Sequence, residues 1–211
     1  MNPALHGLYV ITDPQLTPDA QLVKKVALAI AGGARIVQYR NKHADPHECA
    51  QELIALRELC HHHDAILLIN DDVQLAKLTG ADGVHLGQED IGLQQARALL
   101  GKDAIIGITC HDSLELAHQA VSGGADYVAF GRFFPSQSKP QAPPANISIL
   151  EQAHRELNIP IVAIGGITAD NGEILLRHGA DMLAVIHGVF GQPDIELAAR
   201  RYAQLFGAAT F

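Results

Sequence analysis

Two cations and a side-chain amide alternate along one short stretch of this 211-residue chain. Gln38, Arg40 and Lys42 occupy every second position in and after a β-branched apolar run, so on a strand they share one face. Tyr39 and Asn41 then share the opposite face. Arginine binds phosphate oxygens as a fork, and lysine binds them as a point charge. The stretch predicts a site for an anion such as a diphosphate, although a solvated charge cluster would show the same pattern.

Carboxylates follow two later apolar runs. Asn70, Asp71 and Asp72 end one run, and the other continues from His85 to Asp90. Magnesium takes one or two carboxylates and completes its shell with water and phosphate oxygens, so the carboxylates at these two strand ends are candidate ligands. Aspartate also caps helices, and Asp72, on the opposite face from Asp71, fits that structural role. Carboxylates beside the cations favour a polyphosphate bound together with Mg²⁺.

Four further apolar runs in the second half of the chain are followed by residues that could contact a ligand, most of them small or polar. In chain order they are Thr109; Ser136, Ser138 and Lys139; Gly165 and Gly166; and Ile186, His187 and Gly188. Backbone amides beside glycine form the phosphate site after the last two strands of many parallel barrels. This second anion site, added to the first, predicts a reaction between two anionic substrates.

The connection from Gly131 to about Ile147 is long and irregular and contains four prolines. A loop of that length in a compact domain is usually a binding loop or a lid. A surface loop without a function remains the alternative.

Short apolar runs alternate with amphipathic stretches of helical period. The runs are apolar at nearly every position, as in strands that are buried on both faces of a parallel sheet. The predicted strands are Leu8–Thr12, Ile36–Arg40, Ile66–Asn70, Gly83–Leu86, Ile105–Thr109, Tyr127–Phe130, Ile161–Ile164 and Met182–Ile186. Gly-Ala-Asp precedes three of them, as expected where a left-handed glycine ends a helix and a strand begins.

These units predict the α/β fold class and a single (βα)8 TIM-barrel domain over residues 1–211. In such a barrel the active site lies at the carboxyl-terminal ends of the strands, where the polar residues above are found. An open doubly wound sheet is the alternative, but it usually has fewer strands.

Composition excludes several classes of partner. The chain has 15 Lys and Arg against 23 Asp and Glu, a net charge of −8, and no basic cluster, which excludes a duplex nucleic-acid binder. No apolar stretch approaches the roughly 18 residues of a membrane span. Three cysteines without a CxxC pair, and a first segment without a signal-peptide pattern, predict a reduced, cytoplasmic protein. Whether the chain forms a homo-oligomer is left open.

Taken together, these segments resemble the thiamine phosphate synthase family. The resemblance runs in order and in register from about Leu8 to Phe190 and is carried by Gln38-x-Arg40-x-Lys42, Asn70-Asp71, residues 80–90, residues 135–139 and residues 163–167. The run Gly-Ala-Asp-Gly-Val-His-Leu-Gly-Gln is its most specific part. The resemblance implies a barrel enzyme that joins 4-amino-2-methyl-5-hydroxymethylpyrimidine diphosphate to 4-methyl-5-(2-phosphoethyl)thiazole. Diphosphate is released, and Mg²⁺ is required.

The resemblance also implies roles for individual residues. Gln38, Arg40, Lys42, Asn70 and Lys139 would bind the pyrimidine diphosphate, Asp71 and Asp90 would bind Mg²⁺, and Gly166, Ile186 and His187 would bind the thiazole phosphate. Ser136 and Ser138 stand where the family usually has threonines and would bind substrate through the hydroxyl that they retain. Thr109 would lie near the reacting groups, so that Arg40, Lys42, Thr109 and Lys139 form the catalytic set. His187 departs from the family pattern, in which serine is common at that position.

Two alternatives remain. A thiazole tautomerase would need an acid–base histidine but not the diphosphate site. A non-catalytic phosphate-binding barrel would be expected to have lost one of the two aspartates. The joint presence of Arg40, Lys42, Asp71, Asp90 and Lys139 favours the synthase.

Overall fold

Eight parallel strands close into a barrel in this computed structural model, which describes residues 5–42, 46–136 and 143–208. Each strand pairs with the next along the chain, and the last pairs with the first. The strands are β1 (Gly7–Ile11), β2 (Ala34–Tyr39), β3 (Ile66–Asn70), β4 (Gly83–Leu86), β5 (Ile105–His111), β6 (Tyr127–Phe130), β7 (Ile161–Ile164) and β8 (Met182–Val185). The predicted α/β TIM-barrel fold is confirmed.

Helices lie between successive strands and cover the outside of the barrel. They are α1 (Leu22–Ala31), α2 (Pro46–His62), α3 (Val73–Thr79), α4 (Leu93–Leu100), α5 (Leu114–Ser122), α6 (Ser148–Glu156), α7 (Gly172–Arg177), α8 (His187–Phe190) and α9 (Ile195–Ala208). Within the described residues, none of these helices is both long enough and apolar enough to cross a membrane.

Two strand boundaries differ from the prediction by two residues, and four others by one, because backbone pairing, not apolar character, sets them. β2 begins at Ala34 because that residue pairs with Leu8 of β1. β5 continues to His111, which pairs with Phe130 beyond a shift in register after Thr109. This irregularity lies at the end of β5 that faces the candidate site.

Two apolar layers explain why the strands are apolar at nearly every position. Tyr9, Ile36 and Leu68 point into the barrel and belong to the layer that fills its interior. Val37 and Leu67, their neighbours along the chain, point outward into the layer between strands and helices. Because both faces of each strand are buried, alternation between polar and apolar residues is lost.

The three Gly-Ala-Asp repeats tie each even-numbered strand from β4 onward to the strand before it. Their glycines have φ of 67°, 89° and 104°, the positive range that glycine adopts without strain. Their aspartates each accept a hydrogen bond from a backbone N–H of the preceding strand. The pairs are Asp82 with Leu67 at 2.7 Å, Asp126 with Ile106 at 2.8 Å and Asp181 with Ile161 at 2.8 Å. These aspartates precede their strands and therefore stabilise the end of the barrel opposite the candidate site.

The same aspartates differ in the cations that face them. Arg97 lies 2.7 Å from the Asp126 carboxylate. No ion pair this short is described for Asp181, and burial raises the pKa of its carboxyl group. The Ile161 amide, His154 and His6 oppose that rise in the pKa. The negative charge is therefore less well compensated at Asp181 than at Asp126.

This difference predicts opposite effects of one substitution at two equivalent positions. Because the folded-state pKa of Asp181 is raised, its contribution to stability is largest when it is protonated and is lost as the pH rises through that pKa. We therefore expect the free energy of unfolding of Asp181→Asn, measured relative to the wild type, to increase as the pH is raised from about 4 to about 6. Asp126→Asn should instead lose about 1 kcal/mol at pH 6, because Arg97 loses its partner. Urea unfolding at both pH values measures this, and a pH-independent difference for Asp181→Asn would contradict it.

Candidate active site

The carboxyl-terminal end of β2 carries the first group of predicted residues. The Thr12 N–H donates to the Gln38 carbonyl at 2.9 Å, and the Arg40 N–H donates to the Thr12 hydroxyl at 2.8 Å. Thr12 is 1% exposed, so this bridge between β1 and β2 is fixed inside the structure. It places Arg40, which is half-buried, at the barrel mouth.

Three predicted residues from three different segments meet beside this end. The Lys42 Nζ lies 3.3 Å from the Asp71 Oδ2. Burial raises the pKa of the Asp71 carboxyl, the neighbouring Asp90 carboxyl raises it further, and Lys42 opposes the rise. Asp71 thus lies within interaction distance of both the Lys42 ammonium group and the Asp90 carboxylate.

The backbone around each carboxylate shows how it is aimed. Asp71 has φ of 62°, an uncommon conformation for a residue other than glycine, and its N–H donates to the His85 carbonyl at 2.9 Å. Asp72 caps α3 by accepting from the Leu75 N–H at 2.8 Å, which is the structural role predicted for it. The Asp90 Oδ2 accepts from the Gly87 N–H at 2.7 Å, which holds the Asp90 side chain against its own loop after β4.

Asp71 and Asp90 fit a magnesium ion. The described residues contain no group of three or more His, Cys, Asp or Glu side chains able to enclose a metal. Magnesium does not need one, because it commonly takes one or two carboxylates and fills the rest of its shell with water and phosphate oxygens. Lys42 is the cation described at this carboxylate pair, at 3.3 Å from Asp71, so a divalent cation would add positive charge between the two carboxylates.

Thr109, the predicted residue near the reacting groups, is held by two contacts. The His85 Nε2 lies 2.8 Å from the Thr109 hydroxyl oxygen. The Gln88 amide donates to the Thr109 carbonyl at 2.5 Å. The strand end that carries Thr109 is therefore fixed by β4 and by the loop that leads to Asp90.

A buried set of polar groups continues from His85 through the barrel. The His85 Nδ1 lies 2.8 Å from the Tyr127 hydroxyl, which is 2.9 Å from the Tyr9 hydroxyl. The Gln38 amide nitrogen donates to the Tyr9 hydroxyl at 2.6 Å. Burial raises the pKa of both tyrosines, so both hydroxyls keep their protons. Gln38 is 2% exposed, so its amide lies below the mouth and not on its surface.

The sequence did not predict the tyrosines, and one residue could have suggested them. Tyr9 and Tyr127 stand at apolar positions of the predicted strands. Gly107 interrupts the β-branched run of β5, and a Cβ atom there would lie 1.9 Å from the Tyr127 Cζ. A glycine inside a predicted barrel strand thus marks the place where a large side chain crosses the interior.

The predicted phosphate site lies at the ends of β7 and β8. Gly166 has φ of 62°, and its carbonyl accepts from the Asn171 amide at 3.2 Å. The Tyr202 hydroxyl donates to the Ile167 carbonyl at 2.9 Å, which fixes the turn from below. A Cβ at Gly188 would lie 2.1 Å from that hydroxyl, so only glycine fits there.

Ile186 and His187 border the same turn. Ile186 is half-buried at the start of α8, and His187, the first residue of that helix, is exposed. The first N–H groups of a helix have no partner within the helix and can donate to an anion. The departure from serine at position 187 therefore leaves the backbone donors of the turn in place.

The loop after β6 packs onto the glycine turn. The Phe133 N–H donates to the Ile164 carbonyl at 3.1 Å, and the Phe134 N–H donates to the Gly165 carbonyl at 3.0 Å. Ser136 is half-buried at the end of this described part. The predicted site residues Ser138 and Lys139 lie outside the described residues. The described part of the predicted binding loop, residues 131–136, is thus held against the phosphate turn after β7.

Comparison with known proteins agrees with this geometry. The family model for thiamine monophosphate synthase matches residues 8–189. The chain belongs to the thiamine monophosphate synthase family. The thiamine-phosphate synthase of Alcanivorax borkumensis is 50% identical over 205 residues, which are 96% of this chain and 94% of the relative. That of Marinobacter nauticus is 55% identical over 202 residues, 95% of this chain and 90% of the relative.

The barrel is also similar to solved structures of the thiamine monophosphate synthase family. Thiamine phosphate pyrophosphorylase from Pyrococcus furiosus superposes with a TM-score of 0.90 at 35% identity, covering 99% of this chain and 98% of that one. The predictions of a transferase and of a place in thiamine biosynthesis are thereby confirmed.

Gly166 allows a direct test of the phosphate turn in this family member. A Cβ there would lie 2.3 Å from the Pro135 carbonyl oxygen and 2.7 Å from that of Phe134. We expect Gly166→Ala to displace the loop after β6 or the turn itself and to raise the KM for the thiazole phosphate by about tenfold or more. Steady-state kinetics with each substrate varied in turn will measure it.

Gly124→Ala is the matched control. Gly124 also has a positive φ, but a Cβ there meets no atom within 4 Å. The control therefore introduces the strain of an alanine at a positive φ, but its Cβ does not collide with a neighbouring atom. Its KM values should match those of the wild type. An equal rise in KM for both variants would contradict a specific role of Gly166.

Proposed function

We propose that this chain joins 4-amino-2-methyl-5-hydroxymethylpyrimidine diphosphate to 4-methyl-5-(2-phosphoethyl)thiazole at the carboxyl-terminal mouth of one barrel domain formed by residues 1–211. The observation that carries the proposal is the meeting of Lys42, Asp71 and Asp90 beside Arg40. A cation pair and a carboxylate pair on neighbouring strands suit a diphosphate that binds with a divalent cation.

The reaction balances without a protein nucleophile. The C–O bond between the pyrimidine methylene and the diphosphate breaks, and its electron pair leaves with the diphosphate. The aminopyrimidine ring stabilises the resulting methylene cation, and the lone pair of the thiazole nitrogen forms the new C–N bond. The protein therefore has to stabilise the leaving group and to orient two substrates.

Arg40, Lys42 and Lys139 would neutralise the departing diphosphate, and Ser136 and Ser138 would bind substrate through their hydroxyls. Asp71 and Asp90 would hold Mg²⁺, which stabilises negative charge on the leaving oxygens. Lys42, whose Nζ lies 3.3 Å from Asp71, would bind the phosphate beside these carboxylates. Arg40, Lys42, Thr109 and Lys139 would form the catalytic set.

The remaining residues would position the two rings. Gln38 and Asn70 would bind the pyrimidine side, and Thr109 would lie between the substrates. Gly166, Ile186 and His187 would hold the thiazole phosphate through backbone donors of the turn. The bonds of Phe133 and Phe134 to residues 164 and 165 support a fixed place for that turn.

We also propose that the enzyme works in the cytoplasm. Its three cysteines are free and buried, and burial raises the thiol pKa of Cys60 and Cys110 to about 12. Such thiols are unreactive, and a protein without disulfides suits a reducing compartment.

The decisive experiment mixes the purified chain with both substrates and Mg²⁺ and measures thiamine phosphate and diphosphate in equal amounts. Product should disappear on treatment with EDTA and return with added Mg²⁺. Without product, proton exchange into the thiazole phosphate alone would establish the tautomerase alternative. Binding of either phosphate without any turnover would establish the non-catalytic barrel.

A further inference from the structure

Five polar side chains form a continuous path across the otherwise apolar barrel interior. In spatial order they are Gln38 on β2, Tyr9 on β1, Tyr127 on β6, His85 on β4 and Thr109 on β5. Adjacent polar atoms along the path are 2.6 to 2.9 Å apart. We name these five residues the interior relay. Its two ends, Gln38 and Thr109, are residues of the proposed site, and its middle is not.

The two central hydroxyls cannot turn to water. Tyr9 is 1% exposed and Tyr127 is 0% exposed. A tyrosine hydroxyl has one proton to donate, and a neutral imidazole donates from one nitrogen and accepts at the other. A proton without an acceptor inside the barrel would cost the full desolvation of that group. The relay is therefore stable only when its hydrogen bonds all run in one direction.

Two directions satisfy every member. In the first, the Gln38 amide donates to Tyr9, Tyr9 donates to Tyr127, Tyr127 donates to the His85 Nδ1, and the His85 Nε2–H donates to Thr109. In the second, each bond is reversed, and the Gln38 amide turns its oxygen to Tyr9. The structure has the amide nitrogen of Gln38 on Tyr9, which selects the first direction.

The first direction determines what Gln38 offers to a ligand. Its amide oxygen and its second N–H remain for use outside the relay. An aminopyrimidine presents a donor amino group beside an acceptor ring nitrogen, which is the complementary pair. A 4-oxo pyrimidine presents an acceptor oxygen beside a ring N–H and would match the relay only in the reverse direction.

We propose that Tyr127, together with Tyr9 and His85, is a positioning residue that fixes the Gln38 amide and thereby selects amino over oxo pyrimidine diphosphates. The inference rests on the proposed function, since it names the property of the first substrate that the site reads. It extends that function to three side chains that need not touch the substrate.

Tyr127→Phe tests the selection. The ring remains and still fills the space beside Gly107, so packing is kept while one hydroxyl is lost. The ratio of kcat/KM for the amino substrate to that for its 4-oxo analogue should fall by roughly tenfold, because the Gln38 amide is then free to turn over. An unchanged ratio would overturn the proposal.

Tyr202→Phe is the matched control. Like Tyr127→Phe, it removes one buried tyrosine hydroxyl. The partner of the Tyr202 hydroxyl is the backbone carbonyl of Ile167, near the proposed thiazole site and outside the interior relay. Its amino-to-oxo ratio should equal that of the wild type even where stability or KM changes. A fall in this ratio as large as that in Tyr127→Phe would show that a general loss of packing causes the effect, and it would overturn the proposal.

The direction of the relay can also be measured without turnover. Nitrogen NMR of the ¹⁵N-histidine-labelled full chain should show that His85 carries its proton on Nε2 and that its Nδ1 is unprotonated. The His85 signals are assigned by their loss in His85→Asn. In Tyr127→Phe the Nδ1 signal should shift, because its donor is gone. A proton on Nδ1 in the wild type would overturn the proposal. Failure of the coupling assay with a correct His85 signal would refute only the proposed function.

Discussion

Asp71→Asn should lower kcat/KM for the coupling reaction by roughly a thousandfold, because a metal ion that neutralises the leaving group is worth several kcal/mol. Asparagine has the same shape and tolerates the positive φ of this residue, so the backbone contact with His85 should survive. The substitution removes the charge of one of the two carboxylates proposed to bind Mg²⁺, and with it the ion pair to Lys42. Initial rates over a range of Mg²⁺ concentrations measure the loss.

Asp72→Asn supplies the control at the next residue. Asp72 caps α3 through the Leu75 N–H, and an asparagine oxygen accepts the same bond. Turnover and its dependence on Mg²⁺ should match the wild type. Unchanged turnover in Asp71→Asn would disprove the metal assignment, and equal losses in both variants would indicate damage to the β3 end.

Arg40→Gln should lower kcat/KM by about a hundredfold, with the larger part in kcat, since a charged donor to the leaving group acts most strongly in the transition state. The backbone of residue 40 is held by Thr12, so the new side chain starts from the same place on β2. Glutamine keeps a hydrogen-bond donor and removes the charge. Varying the pyrimidine diphosphate at saturating thiazole phosphate separates kcat from KM.

The same change at the other end of β2 is its control. Arg35 is exposed near the start of the strand and packs its aliphatic part beside Gly7. Arg35→Gln removes an equal charge from the chain, so any effect of net charge on two anionic substrates will appear in both variants. A loss in Arg35→Gln as large as that in Arg40→Gln would contradict a local role for Arg40.

The sequence predicted the site residues wherever local periodicity controls their direction. Arg40 and Lys42 follow from the two-residue repeat of a strand, and Asp71 follows from its position directly after β3. Asp90 is several residues beyond β4 and could be assigned to the site only through the family resemblance. The structure explains its position by the bond between its carboxylate and the Gly87 N–H.

The interior relay could not be predicted in the same way. Its members come from five strands, and no two of them are close in sequence. Tyr9 and Tyr127 satisfy the apolar pattern of a buried strand with their rings, so that pattern hides their hydroxyls. The strand order and the register of a closed barrel decide which inward side chains meet, and a single chain's periodicity does not contain that information.

The aspartates at the starts of β4, β6 and β8 also bear on the route by which the chain folds. Each joins two strands that are consecutive in sequence, so each bond closes only a short loop and costs little chain entropy. The pairing of β1 with β8 joins the two ends of the barrel and closes nearly the whole chain. Assembly can therefore proceed by local pairs of strands, and sealing of the β1–β8 seam carries the greatest entropic cost and completes the barrel.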